Sequence, residues 1–309
     1  MHEQSYITNN ETTKEFNETL GQGSKTALAA LLNRFGESQK PEGERICYDP
    51  YAVYFINREI LDWAIHNPDK AIAMRDENER LVPGFQNSIT ARVRYFDDIT
   101  QRSIEEGIKQ LVILGAGYDS RAYRIEGLKK IRIFEVDHPA TQDVKAMKVK
   151  KIFGSLPDHV VYIPADLAAE NFFQKLLGNG YDPSKKTLFL MEGLLYYLPP
   201  AAVNEMLSSI VKNSAKGSAI LFDYLSKSVV DGSTSLEAGR NLQKGMAQSG
   251  EPFKFGIDDG MIEEFLANRG FSQIVNVTSQ DYKEAYFQEK NKGREVSELL
   301  SFAHAVIEQ

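Results

Sequence analysis

The sequence lacks several features that would place it in whole classes of protein. Its only cysteine is Cys47, which excludes an intrachain disulfide and fits a reducing compartment. The residues beside Cys47 are apolar or aromatic, which predicts a buried core thiol rather than a nucleophile. The N-terminal stretch is polar with no apolar signal segment, and nowhere do about eighteen apolar residues run together. We therefore expect a cytoplasmic protein that does not interact with a membrane.

An excess of positive charge is also missing. Lysine and arginine total 36 against 43 aspartate and glutamate residues, for a net charge of −7, and no basic block stands out. Binding to nucleic acid or to an anionic membrane surface depends on clustered positive charge. The composition therefore predicts that neither is a partner.

The chain is long enough for one large core with a smaller cap. We expect a mobile tail over residues 1–19, which holds few apolar residues, and an N-terminal helical cap over residues 20–106. One cap helix is predicted from Ala52 to Met74. A cofactor-binding core then occupies residues 107–309, with an insertion at about 226–257 that is a candidate substrate lid.

From Gln110 onward, short apolar runs alternate with helical patterns. This alternation predicts an α/β fold with a mostly parallel sheet covered by helices on both faces. Five strands alternate with helices as far as Asp223. Two more strands, Phe271 to Val277 and Lys283 to Phe287, are predicted to form an antiparallel ending, which gives seven strands in all.

The stretch around the first of these strands predicts a nucleoside site. The apolar run from Leu111 ends at Gly115 and Gly117, and glycines at this point let the backbone turn sharply and let a ligand approach closely. Asp137 follows a second strand twenty residues after Gly117, where nucleotide-binding units place the carboxylate that accepts hydrogen bonds from ribose hydroxyls. Ser120 replaces the third glycine typical of diphosphate-binding loops. The pattern therefore favours a cofactor without a diphosphate, such as S-adenosylmethionine.

Acidic residues also follow the next two predicted strands. Asp166 and Glu192 should lie near Asp137, because ligands of open α/β sheets bind at the carboxyl ends of the strands. Three carboxylates suit a cationic sulfonium nucleoside, with one each for the ribose, the adenine amino group and the ammonium group. A divalent metal is the alternative, but no histidine lies in a ligand pattern with them, so we predict no metal.

Several segments resemble one family when they are taken together and in order. They are SKTA from Ser24, DPYA from Asp49, ARVRYFDD from Ala91, LGAGYDSRAYR from Leu114, FEVDHPATQDVK from Phe134, ADL from Ala165, MEGLLYYL from Met191 and GEPFKFGID from Gly250. The sequence resembles the leucine carboxyl methyltransferase family, which includes relatives of the tetracenomycin polyketide methyltransferase. The resemblance implies a Rossmann-like class I methyltransferase fold and S-adenosylmethionine as the cofactor. It also implies cofactor contacts from Arg92, Gly115, Asp137, Asp166, Leu167 and Glu192.

The resemblance further implies an O-methyltransferase, and GEPFKFGID is typical of the microbial members that act on small acids or polyketides. A small, acidic acceptor is therefore expected. A carboxylate is already ionised at neutral pH and needs no general base, whereas a phenol or alcohol needs one. The catalytic group is not determined. Arg92, Tyr196 and Tyr197 are candidates, although each tyrosine fits a packing role equally well.

Two other classes of function remain open from the residues alone. A nicotinamide-dependent oxidoreductase uses the same kind of sheet, but Ser120 and the acid after the fourth strand disfavour it. A non-catalytic module that binds a nucleoside would keep the pocket without transferring a methyl group. Binding of S-adenosylhomocysteine in preference to a dinucleotide would exclude the first, and transfer to any acceptor would exclude the second.

Overall fold

The computed structural model describes residues 25–308, so the expected tail at residues 1–19 lies outside the described part of the chain. Five helices precede the sheet: α1 (Lys25–Ser38), α2 (Ala52–Phe55), α3 (Arg58–His66), α4 (Pro68–Leu81) and α5 (Phe85–Glu105). The strands are β1 (Gln110–Leu114), β2 (Arg132–Asp137), β3 (Val160–Pro164), β4 (Thr187–Met191), β5 (Ala219–Tyr224), β6 (Phe271–Val277) and β7 (Ser301–Ile307). The later helices are α6 (Arg121–Arg124), α7 (Pro139–Phe153), α8 (Phe172–Gly178), α9 (Pro200–Lys212), α10 (Lys227–Val230), α11 (Glu237–Ser249), α12 (Ile262–Ala267) and α13 (Ser279–Tyr286). Short 3₁₀ turns occupy Glu126–Lys130, Leu195–Tyr197 and Glu289–Asn291.

The seven strands form one sheet in the order β3-β2-β1-β4-β5-β7-β6. The first five pair in parallel, and β7 runs antiparallel to both β5 and β6. The α/β class and the mostly parallel seven-stranded sheet are therefore confirmed. The order of connection reverses between β1 and β4, so a crevice opens at the carboxyl ends of these strands, where such sheets bind ligands.

Both faces of the sheet are buried, which explains why β1 and β4 are apolar along their whole length. On one face, side chains such as Leu111 and Ile113 pack with Leu31 of α1, Phe55 of α2 and Phe96 of α5. The helices before β1 therefore share a core with the sheet. The opposite face packs against α8, α9 and α12.

The helix predicted from Ala52 to Met74 is wrong, because three separate helices occupy this stretch. The backbone of Ile56 and Asn57 is extended, which separates α2 from α3. Asn67 leaves the helical region before Pro68, since the proline ring disfavours a helical residue ahead of it, and α4 begins at that proline. The apolar periodicity continued across both breaks and concealed them.

The strand predicted from Lys283 to Phe287 is also wrong. These residues belong mostly to α13, whose start is fixed by a capping box between Thr278 and Asp281. The antiparallel partner of β6 is instead β7, near the C-terminus. The expected count of seven strands was correct although one of the seven was placed wrongly.

Other features concern the chemistry available to the chain. Cys47 is buried, and burial raises the pKa of its thiol to about 12, which confirms the predicted core role. Within residues 25–308, no helix combines the length and apolar character needed to cross a membrane. The same residues hold no group of three histidine, cysteine or acidic side chains placed to bind a metal.

Candidate active site

A cavity of about 380 Å³ opens at the carboxyl ends of β1, β2 and β4. Its floor is formed by the loops that follow these strands, including Gly115, Gly117, Asp137 and Glu192. Its roof is formed by one side of α1 and by residues 250–254, which follow α11. The cavity is large enough for a small cofactor. The end of the predicted lid segment is thus part of its wall, and its mobility stays a prediction.

The Asp137 carboxylate is set to receive hydroxyl groups at one end of the cavity. The Gly117 N–H donates to Oδ2 at 2.5 Å, and the His138 N–H donates to Oδ1 at 2.6 Å. Gly117 has φ +45°, a left-handed conformation that glycine adopts without strain, and this turn directs its N–H at the carboxylate. Burial raises the pKa of Asp137, although the two backbone N–H groups oppose that rise. Each oxygen keeps a lone pair for a ligand hydroxyl.

Arg92 lies at the other end of the cavity and is held by three side chains. Its Nε donates to Glu192 Oε1 at 3.1 Å, and its Nη1 donates to Asp223 Oδ2 at 2.7 Å and to the Tyr196 hydroxyl at 3.2 Å. No hydrogen bond from Nη2 is formed within the described residues, and Arg92 lines the cavity. The guanidinium is therefore fixed on one side and available on the other to a ligand carboxylate.

Asp223 is fully buried and organises this end without reaching the cavity. Its Oδ1 accepts the Gly193 N–H at 2.6 Å, while its Oδ2 accepts from both Arg92 and Tyr196. Gly193 has φ +65°, and a β-carbon there would stand 3.6 Å from both terminal nitrogens of Arg92. The turn after β4 and the guanidinium are thus held together by one carboxylate.

Arg121 lies behind the floor and does not line the cavity. Its Nη1 donates to Asp119 Oδ2 at 2.5 Å and to Glu192 Oε2 at 2.6 Å, and its Nε donates to Asp97 Oδ1 at 2.7 Å. Asp97 lies on α5 and also accepts two hydrogen bonds from Arg124. These contacts connect α5, the glycine-rich loop and the end of β4 through one side chain.

The charges of the floor follow from this pairing. Burial raises the pKa of Glu192, but Arg121 and Arg92 outweigh it and leave that pKa below its usual value. Burial likewise opposes ionisation of Asp119, and Arg121 overcomes it to give a pKa of about 2. Both carboxylates are therefore charged at neutral pH and present a negative surface to a cationic ligand.

The roof is closed by one carboxylate from the segment after α11. Glu251 accepts the Lys25 N–H at 3.2 Å and the Thr26 N–H at 3.0 Å, and it also accepts from the Thr26 hydroxyl. The Lys25 ammonium donates to the Ser249 carbonyl at 3.1 Å. An acid at this position accepts hydrogen bonds from N–H groups that have no partner within the helix. Its negative charge also interacts favourably with the positive end of the α1 dipole. These contacts hold the first turn of α1 to the other half of the roof.

The two tyrosines after β4 have different positions. Tyr197 lines the cavity, and its hydroxyl donates to Thr26 Oγ1 at 3.3 Å. Tyr196 is buried behind Arg92, where its hydroxyl also donates to Asp223 at 3.0 Å. Burial raises the pKa of both phenols, and nearby Asp223 adds to that of Tyr196. Both phenols are therefore held in their neutral form, and a catalytic role for either stays a prediction.

Six of the residues predicted from the sequence line the cavity: Arg92, Gly115, Gly117, Asp137, Glu192 and Tyr197. Asp166 and Leu167 do not line it. Asp166 follows β3, where its Oδ1 accepts the Ala168 N–H and its own N–H donates to Glu170. The expected crevice of three acids therefore holds two of them, and a cofactor contact from Asp166 or Leu167 stays a prediction.

Sequence reasoning did not single out several residues of the site. Asp119 and Arg121 directly follow the two glycines, so their place in the motif was the available signal. Glu251 and Lys254 lie in the segment GEPFKFGID, which the sequence analysis used only as a mark of resemblance. The contact of Glu251 with α1 joins residues more than 220 positions apart, and local patterns carry no such information.

Comparison with known proteins assigns the class. The model of the leucine carboxyl methyltransferase family matches residues 27–211, so the chain belongs to that family. It is an S-adenosylmethionine-dependent methyltransferase with S-adenosylmethionine as its cofactor. The oxidoreductase alternative is thereby set aside.

Individual relatives agree with this assignment. A Bacillus subtilis (strain 168) protein provisionally named S-adenosyl-L-methionine-dependent methyltransferase YktD is 29% identical over 257 residues, 82% of either chain. A Mycobacteroides abscessus protein with the same kind of provisional name is 33% identical over 229 residues, which is 72% of this chain and 74% of that one. Among solved structures, a DUF574 family protein from Streptomyces avermitilis aligns with a TM-score of 0.59 over 90% of this chain and 97% of its own, at 13% identity. This last likeness shows the fold alone.

Proposed function

We propose that the protein is an O-methyltransferase that esterifies a carboxylate on a small-molecule acceptor. The observation that carries this proposal is that the cavity offers no free general base. Among the described residues no histidine lines it, and the phenol of Tyr197 stays protonated at neutral pH. An acceptor that is already ionised needs no base, and a carboxylate meets this condition.

The acids that line the cavity are already engaged. Asp119 and Glu192 are paired with arginines, Asp137 accepts two backbone N–H groups, and Glu251 holds the start of α1. Taking a proton from an acceptor hydroxyl would neutralise the carboxylate and weaken these contacts. A phenolic or polyketide hydroxyl, which the family resemblance also allows, is therefore the second candidate.

Positive groups favour an acidic acceptor. Lys254 lines the cavity with an exposed side chain, and within residues 25–308 no acid pairs with its ammonium group. Its backbone N–H donates to the Tyr196 carbonyl at 2.7 Å, which fixes this segment beside the end of β4. Lys254 is thus placed to attract an anionic acceptor to the end of the cavity where Arg92 lies.

The cavity fits the cofactor by the chemistry of its donors. Asp137 would accept from the ribose hydroxyls, the free edge of Arg92 would bind the carboxylate of the amino acid part, and Glu192 would attract its ammonium. When bound, S-adenosylmethionine supplies an activated methyl group on a positively charged sulfur. The protein aligns the acceptor oxygen with that methyl group and excludes water, which lowers the barrier because both charges are lost as the methyl group is transferred.

The test is an assay of S-adenosylhomocysteine formation with a panel of small carboxylic acids and matched phenols, followed by treatment of the methylated product with mild alkali. We expect carboxylic acids to be methylated, and the products to release methanol because methyl esters hydrolyse under these conditions. Alkali-stable products from the phenols would replace the carboxylate proposal with the ether alternative. Cofactor binding without transfer to any acceptor would indicate the non-catalytic nucleoside-binding module.

A further inference from the structure

A buried arginine behind the cavity has a role that the cavity-lining residues do not reveal. Arg121 touches no ligand space, and its side chain is 3% exposed. One of its terminal nitrogens, Nη1, nevertheless joins Asp119 and Glu192, two of the acids that line the cavity, one after β1 and the other after β4. The cavity therefore depends on a group that lies outside it.

The surrounding charges are unequal in number. The connected network contains four acids, Asp97, Asp119, Glu192 and Asp223, and three arginines, Arg92, Arg121 and Arg124. It is therefore one cation short of neutrality. Its two members that line the cavity, Asp119 and Glu192, are both bound to Arg121. A bound ligand with a positive group would supply the missing charge.

Geometry distinguishes Arg121 from its neighbour Arg124. Arg124 donates to Asp97 at 2.6 and 2.7 Å and to Ser120, and it has no ion pair with either acid of the cavity. Both arginines are held by Asp97, and both belong to α6. Replacing either one removes a buried cation from the network, but only Arg121 donates hydrogen bonds to Asp119 and Glu192.

We propose that Arg121 is a positioning residue that holds Glu192 and Asp119 as a charged pair, one negative charge in excess, for the ammonium group of S-adenosylmethionine. The inference rests on the proposed assignment of Glu192 to that ammonium. Without Arg121, Glu192 keeps Arg92 as a partner and the cavity-lining Arg34 nearby, but loses the cation that most strongly opposes the effect of its burial. Glu192 would then become fully ionised only when the cationic ligand binds.

The pKa of Glu192 determines whether ligand binding releases a proton. In the wild-type protein the pKa of Glu192 is lowered, so the free protein already carries the charge at neutral pH and binding moves no proton. In Arg121→Met, burial dominates and the pKa rises. Because a cationic ligand binds the ionised form, binding then releases a proton and weakens as pH falls.

The experiment is isothermal titration of the full-length protein with S-adenosylhomocysteine in buffers of different ionisation enthalpy, at about pH 6 and about pH 8. For Arg121→Met we expect up to about one proton released per ligand near pH 6 and an affinity about tenfold lower there than near pH 8, since one pKa unit corresponds to a factor of ten. The wild type and the matched control Arg124→Met should show neither effect. Arg121→Lys keeps the cation but not the fork, and should restore pH-independent binding at reduced affinity.

The proposal would be overturned if Arg121→Met bound the ligand with the same pH dependence as the wild type and released no proton. It would also be overturned if Arg124→Met released as many protons as Arg121→Met. If Arg121→Met fails to fold, Arg121→Lys decides: weaker binding with no proton release supports the proposal, and unchanged binding refutes it. Failure of the wild type to bind S-adenosylhomocysteine would instead count against the function proposed above. The two failures are therefore distinguishable.

Discussion

The floor and the roof of the cavity are built by different means. The floor is a network of buried ion pairs on strand ends, in which Arg92, Arg121, Glu192 and Asp223 each have two or more charged or hydroxyl partners. The roof depends on a few partly buried hydrogen bonds, in which Glu251 accepts from Lys25 and Thr26 of α1 and the Lys25 ammonium donates to the Ser249 carbonyl. We infer that the floor defines the shape of the site and that the roof controls access to it.

Removal of a floor cation should have the largest effect. Arg92→Met leaves the buried acids Glu192 and Asp223 short of a partner, and breaking a buried pair in this way costs about 3–5 kcal/mol. Urea unfolding should show a loss of that size. Arg94→Met, two positions along the same helix, removes an exposed pair with Asp98 and should cost at most about 0.5 kcal/mol. Equal losses of unfolding free energy in the two variants would show that the buried ion pairs of the floor stabilise the fold no more than an exposed pair does.

The next effect concerns the ribose end of the floor. Asp137→Ala should weaken S-adenosylhomocysteine binding by about 1.5–3 kcal/mol, the value of hydrogen bonds to a charged group. Isothermal titration measures it directly. Asp166→Ala is the matched comparison, because Asp166 also lies at the carboxyl end of a strand, two residues past β3, but does not line the cavity. A comparable loss in Asp166→Ala would show that the cofactor reaches beyond the cavity to β3, as the family resemblance implies.

The floor should also respond to acid in a defined range. The pKa of Asp119 is lowered to about 2, so its pairing with Arg121 stabilises the fold above the ordinary pKa near 4 and is lost as pH falls toward 2. The contribution is about 2 kcal/mol by the size of the shift. In Asp119→Asn, the fall of the thermal midpoint over this range should be smaller than in the wild type. An identical pH profile in the two proteins would remove Asp119 from the acid response.

The smallest effect on stability should come from the roof, and it should appear in the kinetics. Glu251→Gln removes the charge from the hydrogen bonds to Lys25 and Thr26, a change of about 1 kcal/mol typical of a helix cap. We expect S-adenosylhomocysteine to dissociate about fivefold faster in stopped-flow measurements, and the free energy of unfolding in urea to fall by at most about 1 kcal/mol.

Two controls test the role of the roof. Glu263→Gln changes an exposed acid in the first turn of α12 and should leave dissociation unaltered. Thr26→Val removes the hydroxyl that faces Glu251, and combined with Glu251→Gln it should give less than the sum of the two single effects. Additive effects on the dissociation rate would mean that Thr26 and Glu251 do not act together to retain the ligand. The predicted lid over residues 226–257 would then lose its support.

The sequence by itself determined the parallel sheet, the glycine turn and the acids at strand ends. Continuous apolar runs mark strands buried on both faces, and Gly117 and Asp137 are recognisable because their spacing belongs to one βαβ unit. It also predicted six of the residues that line the cavity, among them Arg92 and Tyr197.

Only the tertiary structure decided how those residues are paired. Asp166 follows its strand as predicted, yet its side chain is engaged locally and does not line the cavity. The pairing of Arg92 with Asp223 joins α5 to β5, and that of Glu251 with Thr26 joins the segment after α11 to α1. The physical reason is that periodicity and spacing report local geometry, whereas ion pairs between distant segments form only when the whole chain has packed. The sequence thus placed the groups, and the fold assigned their partners.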